Sequence, residues 1–329
     1  MNCRNSVSVH LFAGGAGGTV AAVVTCPLEV VKTRLQASSQ VFQPVRVAST
    51  LMSANVATLH SSYHAPVITS RPSGILACLR HMIHTEGIRS LYKGLGPNLI
   101  GVAPARAVYF AVYAKTKKAL SKGYLGPDSK FTHIFSGAAA GFVTHTFTAP
   151  IWFVKTRLQL DAKNEKMNMW RCISNVYKQY GLRGFYRGLS ASYFGISETV
   201  IHFVIYEHVK KKLRIYHHHA GLEGNKLVSQ NIFTDFMIAA GFSKTIASIL
   251  AYPHEVVRTR LRQEEVNGQR KYKSFFQTLF LIFREEGRKG LYAGLGTQLV
   301  RQVPNSSIMF MTYETMISLL CTDDDENGL

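Results

Sequence analysis

Long stretches without a charge recur along the chain, each about as long as a lipid bilayer is thick. Residues 9–28 (VHLFAGGAGGTVAAVVTCPL) and 131–154 contain no Asp, Glu, Lys or Arg. A third run, 232–253, is interrupted only by Asp235 and Lys244. Each reaches the ~20 residues that cross a ~30 Å hydrocarbon layer at ~1.5 Å per residue. Three further apolar runs, 94–114, 188–206 and 294–313, carry one internal charge apiece: Arg106, Glu198 and Arg301. Six spanning helices in three hairpins follow, making an all-α membrane protein. A soluble array of helical repeats is the competing reading, and charge-free runs of this length count against it.

The runs are punctuated by motifs that recur in one order. PLEVVKTRLQ (27–36), PIWFVKTRLQ (150–159) and PHEVVRTRLR (253–262) stand at the ends of the first, third and fifth runs. GIRSLYKGLGPNL, GLRGFYRGLSASY and GRKGLYAGLGTQL follow them, starting at Gly87, Gly181 and Gly287. Such self-similarity means one structural unit used three times. The chain of 329 residues therefore reads as a single domain, with repeat one at 8–120, repeat two at 130–215 and repeat three at 231–321. Pro27 precedes its glycine by 60 residues, Pro150 and Pro253 precede theirs by 31 and 34, so repeat one carries an insertion at about 38–73. That insertion reads as a long loop. Proline inside a helix kinks it, and three kinked helices around a pseudo-threefold axis would converge and close a basket-like cavity. One such chain encloses the cavity alone, so a monomer suffices. Gly14, Gly18, Gly137 and Gly141 allow close helix approach, whereas repeat three has Ala240 and Lys244 at the matching offsets.

Charge adds an orientation. The segments inside the hairpins (32–93, 155–187, 258–290) hold 24 Lys and Arg, against 11 in the segments between them and the amino terminus. Basic residues gather on the non-translocated side of a membrane, so both termini are expected on the other side. The net charge of +19 suits anionic lipid heads or an anionic substrate. Nucleic acid fits the charge too, but no motif supports it. Five scattered cysteines imply no disulfide framework. The first run starts by about Val7, which leaves no room for a basic presequence. His217 to His219 read as a surface loop tract rather than a metal site. No catalytic Cys/His pair, phosphate loop or metal-spaced cluster is visible, so neither an enzyme nor a cofactor is expected.

Pro-x-Asp/Glu-x-x-Lys/Arg-x-Arg in triplicate resembles the mitochondrial carrier family, and the resemblance covers essentially the whole chain. It implies six helices in three repeats with short matrix-side helices, in the inner mitochondrial membrane, with both termini toward the intermembrane space. Cardiolipin is then expected at the matrix-side helix ends. In such carriers the acid of one repeat pairs with the base of the next to form a matrix gate. Here Glu29 would meet Lys155 and Glu255 would meet Lys32, braced by Gln36 and Gln159. The chain departs from the pattern in two places. Trp152 replaces the third acid, leaving Arg258 to stack on its ring, and Arg262 replaces the third glutamine. A cytoplasmic gate is expected from Tyr206, Glu207 and Lys210, from Tyr113 and Lys117 with Ala114 in the acid's place, and from Tyr313 and Glu314 with Ile317 in the base's place.

Departures from threefold symmetry should carry substrate chemistry. Gly101, Gly195 and Arg301 stand seven residues after Gly94, Gly188 and Gly294, about 10 Å or more into their helices. An arginine at that depth is costly unless it faces water or a ligand, and its guanidinium fork suits phosphate; a core ion pair is the alternative reading. The resemblance makes Arg301, Gly195 with Ile196, and Gly101 the three substrate contact points, with Arg106 nearby. Glu198 could accept from a base amino group or pair with Arg106. Gly101 and Gly195 could instead serve helix packing, and Lys244 could partner Asp235. The stretches 10–20, 150–162, 195–207 and 252–262 look like the pyrimidine nucleotide carriers of that family. They imply antiport of uridine, thymidine or cytidine nucleotides by alternating access. Trp152 is shared with its folate, flavin and nicotinamide dinucleotide carriers, which are the alternative. A channel or proton leak on the same scaffold is a further reading.

Overall fold

The computed structural model describes residues 7–37, 74–121, 130–162, 167–219, 226–265 and 270–326. The insertion expected at 38–73 lies outside them. All six apolar runs are helical. In chain order the helices are α1 (Val7–Gln36), α2 (Ile75–Glu86), α3 (Leu95–Ser121), α4 (Lys130–Leu160), α5 (Met169–Tyr180), α6 (Leu189–Phe194), α7 (Ile196–His219), α8 (Lys226–Leu261), α9 (Phe275–Leu291) and α10 (Leu295–Glu326). Two of them, through Ala13–Gln36 and Asp235–Leu261, are long and apolar enough by themselves to cross a membrane. The other long helices have the length but dilute their apolar content with Thr, Ser, His, Gly and single charges. His217–His219 form the end of α7 rather than a loop, a correction to the sequence expectation.

The first repeated motif keeps its helix going through the proline. Pro27, Pro150 and Pro253 all sit inside helices, four turns or more from the start. Around and beyond each proline, successive turns bury an apolar face against the short helix that follows. Cys26, Val30, Val31 and Leu35 of α1 pack on Cys78 and Met82 of α2 and on Leu91. Phe153, Val154 and Leu158 of α4 pack on Cys172 and Val176 of α5 and on Phe185. Tyr252, Val256, Val257 and Leu261 of α8 pack on Ile282 of α9. A helix that buries one stripe in this way is held by packing rather than by propensity.

The second motif returns the chain to the helix ends. Gly94, Gly188 and Gly294 have φ of 83, 78 and 83°, a region where a side chain is strained. They also approach the neighbouring helix closely: an added Cβ would lie 3.0 Å from the Lys155 carbonyl, 3.3 Å from that of Arg258 and 3.1 Å from that of Lys32. Glycine is needed there on both counts. α3 packs along α4, α7 along α8, and α10 along α1, which closes the ring between the two ends of the chain. At that closure a Cβ on Gly17 would stand 2.8 Å from the Met309 carbonyl.

Candidate functional site

The three proline helices bring their charged turns together. The Lys155 ammonium of α4 pairs with Glu29 Oε1 of α1 and donates to Asn98 Oδ1 of α3 at 2.9 Å. Lys32 Nζ of α1 lies 2.5 Å from Glu255 Oε2 of α8. The third junction is different. Arg258 does not stack on Trp152: its guanidinium lies 3.8 Å from Glu255 of its own helix. The cation over the Trp152 ring is Lys155, 4.9 Å from the centroid. The indole N–H donates to Thr148 Oγ1 at 3.0 Å, which turns the ring back along α4.

Beneath these pairs lies a layer of hydrogen bonds with the same cyclic sense. Thr33 donates to Gln159 Oε1 at 2.9 Å and Thr259 donates to Gln36 Oε1 at 2.7 Å. Gln36 Nε2 also donates to the Tyr252 hydroxyl at 3.0 Å. In the third position Arg262 substitutes for glutamine and reaches Thr156 Oγ1 at 3.1 Å and the Trp152 carbonyl at 3.2 Å. A third layer rests on the second arginine of each motif. Arg34, 1% exposed, grips both oxygens of Glu86 at 2.7 and 2.9 Å and donates to the carbonyls of Gln159 and Asp161. Arg260, equally buried, reaches Glu286, Tyr272 and the Gln36 carbonyl. Arg157 has Tyr180 where the others have glutamate. It lies over the Phe153 ring at 5.4 Å and makes no ion pair among the described residues.

Arg301 of α10 lies 3.1 Å from Glu29 Oε2, so one carboxylate holds Lys155 on one oxygen and Arg301 on the other. Glu29 thereby cross-links α1, α4 and α10. Gly195 and Ile196 line a cavity of about 490 Å³ between α3, α4 and α7, with Tyr109, Tyr113, Gly141 and His145. Gly195 itself is crowded from α8: a Cβ there would stand 2.8 Å from His254 Nε2. Gly101 is buried, and a Cβ there would stand 2.9 Å from Ile151 Cγ2, so its small size lets α3 close on α4. Arg106 is exposed and does not pair with Glu198. Glu198 is taken instead by Lys244 at 2.6 Å and Ser248 at 2.9 Å, both from α8, so Lys244 is partnered by Glu198 rather than by Asp235. Toward the opposite end of the helices, Lys117, Glu207 and Lys210 are half-buried and Glu314 is exposed. Lys210 lies 5.5 Å over the Tyr206 ring. Lys117 and Glu314 form no ion pair among the described residues. Two Tyr–His hydrogen bonds instead join neighbouring helices there, Tyr113 with His133 at 2.7 Å and Tyr313 with His10 at 2.8 Å.

A family model described as mitochondrial carrier protein matches residues 4–124, 126–217 and 229–324. This chain belongs to the mitochondrial carrier family. It is 53% identical over 318 residues to solute carrier family 25 member 36-A of Danio rerio, covering 95% of this chain and 97% of that one. It is 47% identical over 324 residues to solute carrier family 25 member 33 of Homo sapiens, covering 96% of each. It is 40% identical over 325 residues to the mitochondrial pyrimidine nucleotide transporter RIM2 of Saccharomyces cerevisiae, covering 95% of this chain and 86% of that one. In this carrier, sequence reasoning passed over the threonine layer and the buried arginines. The signal was present: Lys/Arg-Thr-Arg recurs in all three motifs, and Glu86 and Glu286 stand directly before Gly87 and Gly287. It also passed over His254, whose contact with Gly195 crosses between helices and leaves no trace in local spacing.

Proposed function

We propose that this carrier exchanges pyrimidine nucleotides across the inner mitochondrial membrane by alternating access, as the name of its yeast relative suggests. The reading includes three repeats over 8–120, 130–215 and 231–321, six spans, and both termini toward the intermembrane space. The observation that carries the mechanism is the shared carboxylate of Glu29. While Arg301 and Lys155 both hold it, the floor is fastened by a cross-link of three helices. A nucleotide phosphate offers Arg301 a stronger, bidentate acceptor. As the guanidinium turns to the phosphate, α10 leaves the cross-link and only the Lys155 pair remains on Glu29. Opposite charges ~4 Å apart attract by about 4 kcal/mol at an effective dielectric of ~20, less the desolvation cost. The hold on the floor is therefore of the size that differential binding of one anion offsets. Alternating access follows: the guest weakens the floor only while it occupies the arginine.

Proteoliposomes preloaded with UTP, TTP or CTP are expected to take up labelled UTP in exchange. Uptake only against NAD or folate would move the carrier to those substrates, and flux without any counter-substrate would make it a channel. Arg301→Lys keeps the charge and loses the fork, and is expected to cut exchange at least tenfold. Arg301→Lys transport at the parental rate would remove the proposed phosphate anchor.

A further inference from the structure

Glu198, Lys244 and Ser248 form a charged cluster that neither the gate nor the phosphate anchor uses. Lys244 Nζ and Ser248 Oγ both donate to the same oxygen, Oε1 of Glu198, at 2.6 and 2.9 Å. Oε2 accepts no hydrogen bond among the described residues. The Lys244 side chain remains 40% exposed, so its ammonium has hydrogens to spare, while Glu198 is 16% exposed. A charged pair this deep in two membrane helices belongs against a wet interior. Its position agrees: a Glu198 carboxylate oxygen, a His254 ring nitrogen and a Glu255 carboxylate oxygen lie within 4.8 Å of one another. Glu255 is the acid of the Lys32 latch, so the cluster stands beside that latch. Ile196, the first residue of α7, lines the neighbouring cavity between α3, α4 and α7.

We infer that this cluster reads the edge of the nucleobase. It offers an acceptor oxygen beside an ammonium donor. The complement is a base edge with a ring N–H next to a carbonyl, as uracil and thymine present it. Glu198 Oε2 accepts from the N–H and Lys244 donates to the carbonyl. Cytosine offers the carboxylate its amino group in place of the ring N–H. Adenine, like cytosine, offers Lys244 a ring nitrogen beside the amino group in place of the carbonyl. Polar sites built to pair with a ligand discriminate strongly, because their groups are left unpaired by the wrong one.

The inference rests on the nucleotide-exchange reading, so the test separates the two. In proteoliposomes, labelled UTP uptake is competed by unlabelled UTP and by inorganic triphosphate, which has no base. In the parental carrier UTP should compete better than triphosphate. Glu198→Gln and Lys244→Met are each expected to weaken UTP about tenfold and leave triphosphate unchanged. Ser248→Ala, which keeps the ion pair, is expected to weaken UTP about threefold. The swap Glu198→Lys with Lys244→Glu restores the α7–α8 pair with the donor and acceptor exchanged. Continued loss of the UTP advantage in the swap supports a base reader. An unchanged UTP-to-triphosphate ratio in the single variants, or full rescue by the swap, makes the cluster a helix tie and ends the proposal. Absence of exchange in the parental carrier would instead remove the transport reading itself.

Discussion

Arg34, Arg157 and Arg260 occupy the same place in the three motifs and have different surroundings. Arg34 and Arg260 are clamped by Glu86 and Glu286, whereas Arg157, with Tyr180 at the matching position, lies over the Phe153 ring. Truncating one member of a buried ion pair strands the other charge, at a cost of about 3–5 kcal/mol. Arg34→Ala and Arg260→Ala should therefore lower the melting temperature of purified carrier severely, and Arg157→Ala much less; equal losses in all three would contradict this account. Trp152→Glu supplies the missing carboxylate near Arg258. A partly exposed pair adds about 1 kcal/mol to the closed floor, so exchange should slow about fivefold; unchanged or faster uptake would show that Arg258 does not reach position 152. Burial against α4 pushes the Cys172 thiol up to about 11, against the milder opposing pull of Arg157. A thiol is reactive as thiolate, so Cys172 should resist alkylation at neutral pH and begin to react only in strong alkali, as mass spectrometry would read.

Helices and their order were legible because charge-free runs of bilayer length have few other uses. The latch pairs Glu29–Lys155 and Glu255–Lys32 were legible through the resemblance to the mitochondrial carriers, in which the acid of one repeat meets the base of the next. The partner of an odd residue was not. Trp152 and Lys244 break the repeat and Arg258 thereby lacks its acid, and their contacts depend on which rotamer the neighbouring helix leaves open, which no spacing encodes. Arg258 turns to its own Glu255, and Lys244 turns to Glu198 across the α7–α8 contact. Glycine roles divide for the same reason. At Gly17, whose Cβ would meet a backbone carbonyl of α10, the neighbour cannot yield. Gly17→Ala should cost about 1–3 kcal/mol and lower the melting temperature, while Gly18→Ala, with open space around it, should be nearly silent.

For the bundle together, the net charge of +19 and the fastened floor describe a carrier waiting for an anion on its open side. A ligand that binds the folded bundle stabilises it by about 2.7 kcal/mol at a hundredfold excess over Kd. UTP should raise the melting temperature of the parental protein and leave that of Arg301→Ala unmoved; an equal rise in both would separate binding from the arginine.

Three departures from symmetry in the floor, Trp152, Tyr180 and Arg262, border the junction between repeats two and three. The other two junctions each keep an acid–base latch, a glutamine brace and a glutamate-clamped arginine. The floor thus has a built-in order of parting, since this border, which lacks the acid–base latch and is crossed by the peripheral Arg187–Glu265 pair at 3.1 Å, yields before the two that have one. Spin labels on α5 and α9 should spread under nucleotide before labels on α2 and α9 do. Simultaneous spreading would mean that the three borders let go as one.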